Sequence, residues 1–211
     1  MIIALDGPAA AGKGTLAKRL AAALDLAHLD SGLLYRATAA VALERTVAPG
    51  DAEFIDASGS LQPGDSARNG LHSNAVATAA SKAAALPEVR AALLAFQQNF
   101  ARTPPGGKAG AVLDGRDIGT VVCPDAAVKI FVTASAEVRA KRRCLELQER
   151  GEDAIYQRVL QHVRERDRSD ETRPVAPLKP ASDAVLLDTS ALTPDEVFEK
   201  AMAIVRSRSA G

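Results

Sequence analysis

The chain predicts an α/β fold: a five-stranded parallel sheet with helices on both faces. Three observations carry this expectation. Five short apolar runs alternate with segments of helical periodicity along the 211 residues. Such alternation gives parallel pairing, with the crossover helices covering both faces of the sheet. A glycine-rich turn joins the first run to the first helix, at the strand end where sheets of this kind bind ligands.

MIIALD is a short apolar run ending at a turn and reads as a buried strand. After Lys13, TLAKRLAAAL puts Leu16, Leu20 and Ala23/Leu24 on one face, which is helical spacing. LAHLD, ending at Asp30, is the second strand, and SGLLYRATAAVALER follows as a helix with Ser31 as its N-cap. Residues 46–70 are rich in Gly, Pro, Asp and Ser and read as loop or irregular insert. An Ala-rich helix and the helix PEVRAALLAFQQNF come next. AGAVLDG and AVKIFVTA are the third and fourth strands, the latter rich in β-branched residues. SAEVRAKRRCLELQER is a helix with Glu137 in its first turn, and residues 150–173 are charged and helical. DAVLLDTS is the fifth strand. TPDEVFEKAMAIVRSR closes the chain with a Thr cap, Pro194 at the first helical position and acids in the first turn.

Hydrophobic residues make up 47% of the chain, enough for a core in one globular domain. Lys plus Arg equals Asp plus Glu, 26 each, which argues against a general nucleic-acid or membrane-surface binder. Any anion site must therefore come from local clustering. No run approaches a membrane span, and MIIAL is too short for a signal peptide. Cys123 and Cys144 lack metal-ligand spacing and suit a reducing compartment, so the expected location is the cytoplasm. Cys144 reads as core, and His28, His72 and His162 as structural. No long apolar stripe is left over, so a monomer is expected.

Gly7, Pro8, Ala9, Ala10, Ala11, Gly12, Lys13, Gly14 and Thr15 form a phosphate loop in its required strand-to-helix setting. The glycines let backbone N–H groups turn in around an anion, the helix N-terminus adds partial positive charge, and Lys13 reaches the outer phosphates. The hydroxyl comes at Thr15, one place later than in the general pattern, because Gly14 follows the lysine. Asp114, ending the strand AVLD, is the candidate acid for Mg²⁺, held directly or through water.

A hydrolase needs one nucleotide site and a positioned water, but this chain carries more arginine than that. Arg36 follows the second strand and Arg116 and Asp117 the third, while RERDRSDETR (164–173) crowds charges of both signs. The arginines suggest two adjacent phosphate groups, a donor's and an acceptor's. A solvated helix face laced with ion pairs is the plainer reading of 164–173.

GPAAAGKGT, LDSGLLYR, ASKAAALPEVRAALL, LDGRDIGTVV, PDAAVKIFVTAS, RAKRR and RDRSDETRPVAPL together resemble the bacterial cytidylate kinases, in order and over nearly the whole chain. The resemblance implies a P-loop kinase fold with a CMP-binding insert near residues 37–102 and a helical lid near 143–173. It implies transfer of the γ-phosphoryl of ATP to CMP or dCMP in pyrimidine nucleotide metabolism, with Mg²⁺ as cofactor. Lys13, Arg116 and Arg166 are then the catalytic residues. Arg36, Arg116 and Arg166 hold the acceptor phosphate. Ser81, Arg90 and Asp117 read cytosine. Ser31, Asp170 and Arg173 contact the sugar or neighbouring groups. Arg139, Arg142 and Arg143 either cover the ATP phosphates or form a basic solvated face. Leu71-His72 stands where the family has an Ile-Arg pair, and the insert before it is shorter and more polar. A kinase for another monophosphate and a non-catalytic nucleotide switch are the competing readings.

Overall fold

A computed structural model describes residues 1–47, 51–59, 70–71 and 73–209. Five strands form one sheet: β1 (Ile2–Asp6), β2 (Ala27–Asp30), β3 (Ala111–Gly115), β4 (Val128–Thr133) and β5 (Val185–Asp188), in the order β2-β3-β1-β4-β5. Every pairing is parallel. The register sets Asp6 beside Gly115 and Asp30 beside Asp114, so the carboxyl ends of β1, β2 and β3 finish at one edge.

Period-two alternation divides the core between the faces. Ile3, Leu5, Val112, Val128, Ile130 and Val132 pack under α1 (Lys13–Leu24) and, with Leu187, under α8 (Pro194–Ser209). Ala4, Ala27, Leu29, Ala111 and Leu113 face the other way, toward α2 (Ser31–Glu44), α3 (Ala52–Gly59), α4 (Asn74–Ala83) and α5 (Pro87–Arg102). Ile3, Leu5 and Leu20 are wholly buried, each contributing about 1.5–3 kcal/mol relative to an exposed side chain. α6 (Ala136–Glu149) and α7 (Tyr156–Thr172) pair on a small cluster of their own, in which Cys144 meets Leu147, Val159 and Val163. The helix α8 starts with a reciprocal capping box: Glu196 N–H donates to Thr193 Oγ1, and Thr193 N–H to Glu196 Oε2. Among the described residues no helix is long and apolar enough to cross a membrane.

The sequence reading needs three corrections. The N-cap of α2 is Asp30, whose Oδ1 accepts from Leu33 N–H, while Ser31 Oγ donates to the Asp114 carbonyl. The stretch read as irregular contains α3, whose Phe54 is fully buried; residues 48–50, 60–69 and 72, His72 among them, lie outside the described residues. The charged segment becomes helical only at Tyr156.

Helix α2 ends in a Schellman motif, with Thr46 N–H on the Leu43 carbonyl and Val47 N–H on the Ala42 carbonyl. Its left-handed position is filled by Thr46 at φ 59°, a β-branched residue where glycine is usual. Thr46→Gly is expected to raise unfolding stability by about 1 kcal/mol, seen as a higher midpoint in urea denaturation.

Candidate active site

Gly7 leaves β1 so close to β4 that a Cβ there would lie 1.9 Å from the Val132 carbonyl oxygen; no other residue fits. Gly12, at φ 94°, caps α1 without any side-chain acceptor, so the first N–H groups of the helix stay open to an anion. Lys13 is buried, and its ammonium donates to the Pro8 carbonyl at 2.8 Å. Burial and the nearby Arg116 push it down to about 7, against the pull of Asp114, Asp6 and Asp30. Thr15 is exposed on the first turn of α1.

Arg142 and Thr189 brace this loop from the far side. Thr189 Oγ1 donates to the Ala11 carbonyl at 3.1 Å, and Arg142 holds the Thr189 carbonyl at 2.6 Å. Arg139 is buried and fully engaged, donating to the Ala134 carbonyl and, through both terminal nitrogens, to Asp167 of α7 at 2.8 and 2.6 Å. Neither arginine belongs to a solvated face. Arg143 is different: half-buried, it pairs with Glu146 and lies within electrostatic reach of Arg36 and Arg166.

The acceptor-side residues come together. Arg116 Nε donates to Asp170 Oδ2 at 2.9 Å, joining the loop after β3 to α7. Burial would raise the Asp170 carboxyl, but Arg116 and Arg166 outweigh it and hold the group below its ordinary range. Burial and its neighbours Arg116, Arg36 and Arg143 push Arg166 down to about 10, with Asp170 opposing. Arg36 donates to the Leu71 carbonyl at 2.8 Å. Arg166 Nε and Arg173 Nη2 are buried donors with no hydrogen-bond acceptor among the described residues; Arg173 Nη2 stands 3.8 Å from Asp117 Oδ1.

Buried Asp117 forms a close ion pair with Arg90, whose other terminal nitrogen donates to the Ala84 carbonyl at 3.2 Å. Ser81, half-buried, lies one turn before Ala84 and joins this set by position rather than by a direct contact among the described residues. The Arg90 guanidinium stands 5.9 Å from the Tyr35 ring centroid. Burial raises the Tyr35 hydroxyl to about 12, with Arg90, Asp117 and Arg173 all within electrostatic reach.

The structure draws Arg36, Arg116, Arg166 and Asp170 together and sets Asp117 beside Arg90 and Arg173, while Ser81 and Thr15 make no side-chain contact with them among the described residues; Tyr35, Asp167, Asp6 and His28, the last expected to be structural, join the set. Tyr35 packs against Arg90, Asp167 ties Arg139, and His28 Nε2 bonds Asp114 Oδ1 at 2.8 Å. Asp6 accepts from Ile118 and Gly119 N–H, both at 2.7 Å, and so fastens the Arg116-Asp117 loop to the strand that feeds the phosphate loop. Its place next to Gly7 was the available signal. For the other three, no local pattern names the partner. His162 is exposed on α7.

The chain is similar to known proteins over nearly its whole length. The model of the cytidylate kinase family matches residues 3–207. A cytidylate kinase of Paramagnetospirillum magneticum is 58% identical over 98% of this chain and 98% of its own length. One from Methylocella silvestris is 57% identical over 98% and 94%, and one from Xanthobacter autotrophicus 53% over the whole of both. A solved structure from Thermus thermophilus superposes with a TM-score of 0.51 at 18% identity, covering 100% of this chain and 98% of its own. An uncharacterized protein from Eubacterium ventriosum gives 0.54 at 12%, covering 98% and 99%. These two bear on the fold alone.

Burial lifts the Asp6 carboxyl from its ordinary value near 4 to about 6, against the pull of its two amide donors. The folded protein thus holds this proton more tightly than the unfolded chain does. The stability from Asp6 is full below pH about 4 and is lost as pH rises through about 6. Between pH 4 and 7 the unfolding free energy of the natural chain should fall by about 3 kcal/mol relative to Asp6→Asn, measured by urea denaturation across that range.

Proposed function

The chain belongs to the cytidylate kinase family, and from that premise we propose that it transfers the γ-phosphoryl group of ATP to CMP or dCMP, giving ADP with CDP or dCDP. The observation that carries this reading is the pair of buried arginine donors without acceptors among the described residues, Arg166 Nε and Arg173 Nη2, set among further cations at the strand ends. A buried guanidinium N–H is costly to leave unpaired, and phosphate oxygens satisfy it with two-pronged bonds.

The acceptor oxygen is a phosphate oxygen, already anionic near neutral pH, so no strong general base is required. The difficulty is to hold two polyanions together, and positioning with charge neutralisation supplies the catalysis. In this proposal the open N–H groups of α1 and the ammonium of Lys13 hold the donor phosphates, with Lys13 leaving the Pro8 carbonyl to do so. Arg36, Arg116 and Arg166 hold the acceptor phosphate, and Arg143 lies close enough to two of them to serve the seam between the phosphates. Asp117 takes the cytosine amine, and Arg90 and Ser81 face its acceptor atoms. Asp170, Arg173 and Ser31 stand toward the sugar.

Asp114 suits Mg²⁺ in this setting: its Oδ2 is the atom that would lie nearest a Cβ on Gly14, at 4.0 Å, and so faces the start of α1. Asp114 and Thr15 would hold the ion, which supplies positive charge shared by the phosphate oxygens.

We assign residues near 37–102 to the CMP-binding insert and those near 143–173 to a lid. The lid excludes water from the γ-phosphate when it closes over both substrates. The working form is taken as a cytoplasmic monomer. Arg139 and Arg142 brace the loop's surroundings, Arg139 through Asp167 and Arg142 through Thr189.

ADP production from ATP, followed in a coupled assay, should rise at least 10-fold on adding CMP and scarcely with AMP or GMP. Equal rates with all three would refute the base assignment. Lys13→Ala should lower kcat by about 10²-fold or more. Arg173→Ala should act mainly by raising KM for CMP, with KM for ATP within about twofold.

A further inference from the structure

We infer that His28 is a positioning residue that aims the Asp114 carboxylate at the phosphate loop. The inference rests on the proposed role of Asp114 in holding Mg²⁺ and adds a residue to it. Strands β2 and β3 pair with His28 beside Val112 and Asp30 beside Asp114. Val112 packs in the cluster beneath α1, whereas Leu29, next to His28, belongs to the opposite cluster. Alternation therefore puts His28 and Asp114 on the α1 face, and His28 is a polar ring on a face built largely of Ile, Leu and Val.

Its polar atom has a definite task. His28 Nε2 donates to Asp114 Oδ1 at 2.8 Å, which leaves Oδ2 toward Gly14 at the start of α1. The backbone of the same residue is fixed separately, because Ser31 Oγ donates to the Asp114 carbonyl at 2.9 Å. Without the ring two forces would turn this side chain. The neighbouring Asp30 carboxylate repels it, and the Lys13 ammonium attracts it. A carboxylate drawn down onto Lys13 would occupy the lysine and take both away from the nucleotide. The imidazole occupies one oxygen, fixes the rotation of the carboxylate and leaves the other oxygen pointing at the phosphates. Histidines and carboxylates joined in this manner orient metal-binding groups, and losing the outer partner commonly weakens metal affinity about 10- to 100-fold.

The test uses Mn²⁺ as a paramagnetic stand-in for Mg²⁺, titrated onto the full chain saturated with a non-hydrolysable ATP analogue, with free Mn²⁺ read by electron paramagnetic resonance. His28→Phe keeps a planar ring but loses the donor, and should bind Mn²⁺ about 10-fold or more weakly than the natural chain. His28→Gln restores an N–H donor and should stay within about threefold. CMP affinity measured without metal should stay within about twofold in both, which a mere packing defect would not respect. Should His28→Phe fail to fold, His28→Leu removes the same donor and makes the same comparison. Asp114→Asn is the reference for the underlying reading. If it weakens Mn²⁺ binding while the donor-less His28 variant does not, the role of His28 is overturned and that of Asp114 stands. If neither variant changes Mn²⁺ affinity, both are overturned together.

Discussion

Charges of one sign can share a buried space only if charges of the other sign stand between them, and this constraint shapes the carboxyl edge of the sheet. Arg116 and Arg143 lie close enough to Arg36 and Arg166 to help lower the proton affinity of both, beside the larger effect of burial. Asp170 stands among them, bonded to Arg116 and kept ionised by it. Asp117 stands between Arg90 and Arg173, paired closely with the first and 3.8 Å from the second, although burial raises its carboxyl above the ordinary range. Removing one member of such a set leaves its partner buried and uncompensated, which costs more than the pair ever contributed. The set is nonetheless short of acceptors: Arg166 Nε and Arg173 Nη2 find none among the described residues. Electrostatics that would be poor design for a purely structural core are what a site for two phosphate-bearing substrates requires.

Much of this was legible because it is local. The strand, glycine turn, lysine and helix of the phosphate loop are contiguous, and alternating apolar runs gave the sheet and its parallel pairing. What escaped depends on contacts across the sheet or on competition between neighbours. Ser31 and Asp30 are both good caps; Asp30 accepts from Leu33 N–H, and Ser31 donates instead to the Asp114 carbonyl. The helix α3 hid in turn-rich composition, although Phe54 and Ser58 are one turn apart and both buried. His28 read as structural because its partner lies 86 positions away. The RAKRR run could be read two ways, since sequence does not say which arginines are already engaged; Arg139 and Arg142 are bound to protein acceptors, and Arg143 faces the cluster.

The attachment of α6 and α7 brings these points together. The pair has an apolar cluster of its own, separate from the two clusters that sandwich the sheet. Three of its described polar ties to the rest of the molecule run through arginine, Arg116 to Asp170, Arg139 to the Ala134 and Ala9 carbonyls and Arg142 to Thr189, beside a backbone bond from Leu178 N–H to the Asp170 carbonyl. Apolar joints lose free energy in proportion to the area uncovered when they part. Ionic joints can be exchanged, because an incoming anion offers the same arginine an equivalent partner. Asp167 and Asp170 stand one turn apart on α7, one paired with an arginine from α6 and the other with one from the loop after β3. In the proposed lid, an acceptor phosphate that competes with Asp170 for Arg116 would loosen the second pair and leave the first intact. Because Arg139 is on α6 and Asp167 on α7, the two helices would stay joined to each other while their tie to the loop after β3 is exchanged. That ordering follows from the proposed place of Arg116 at the acceptor phosphate and from the burial of Arg139 behind the phosphate loop.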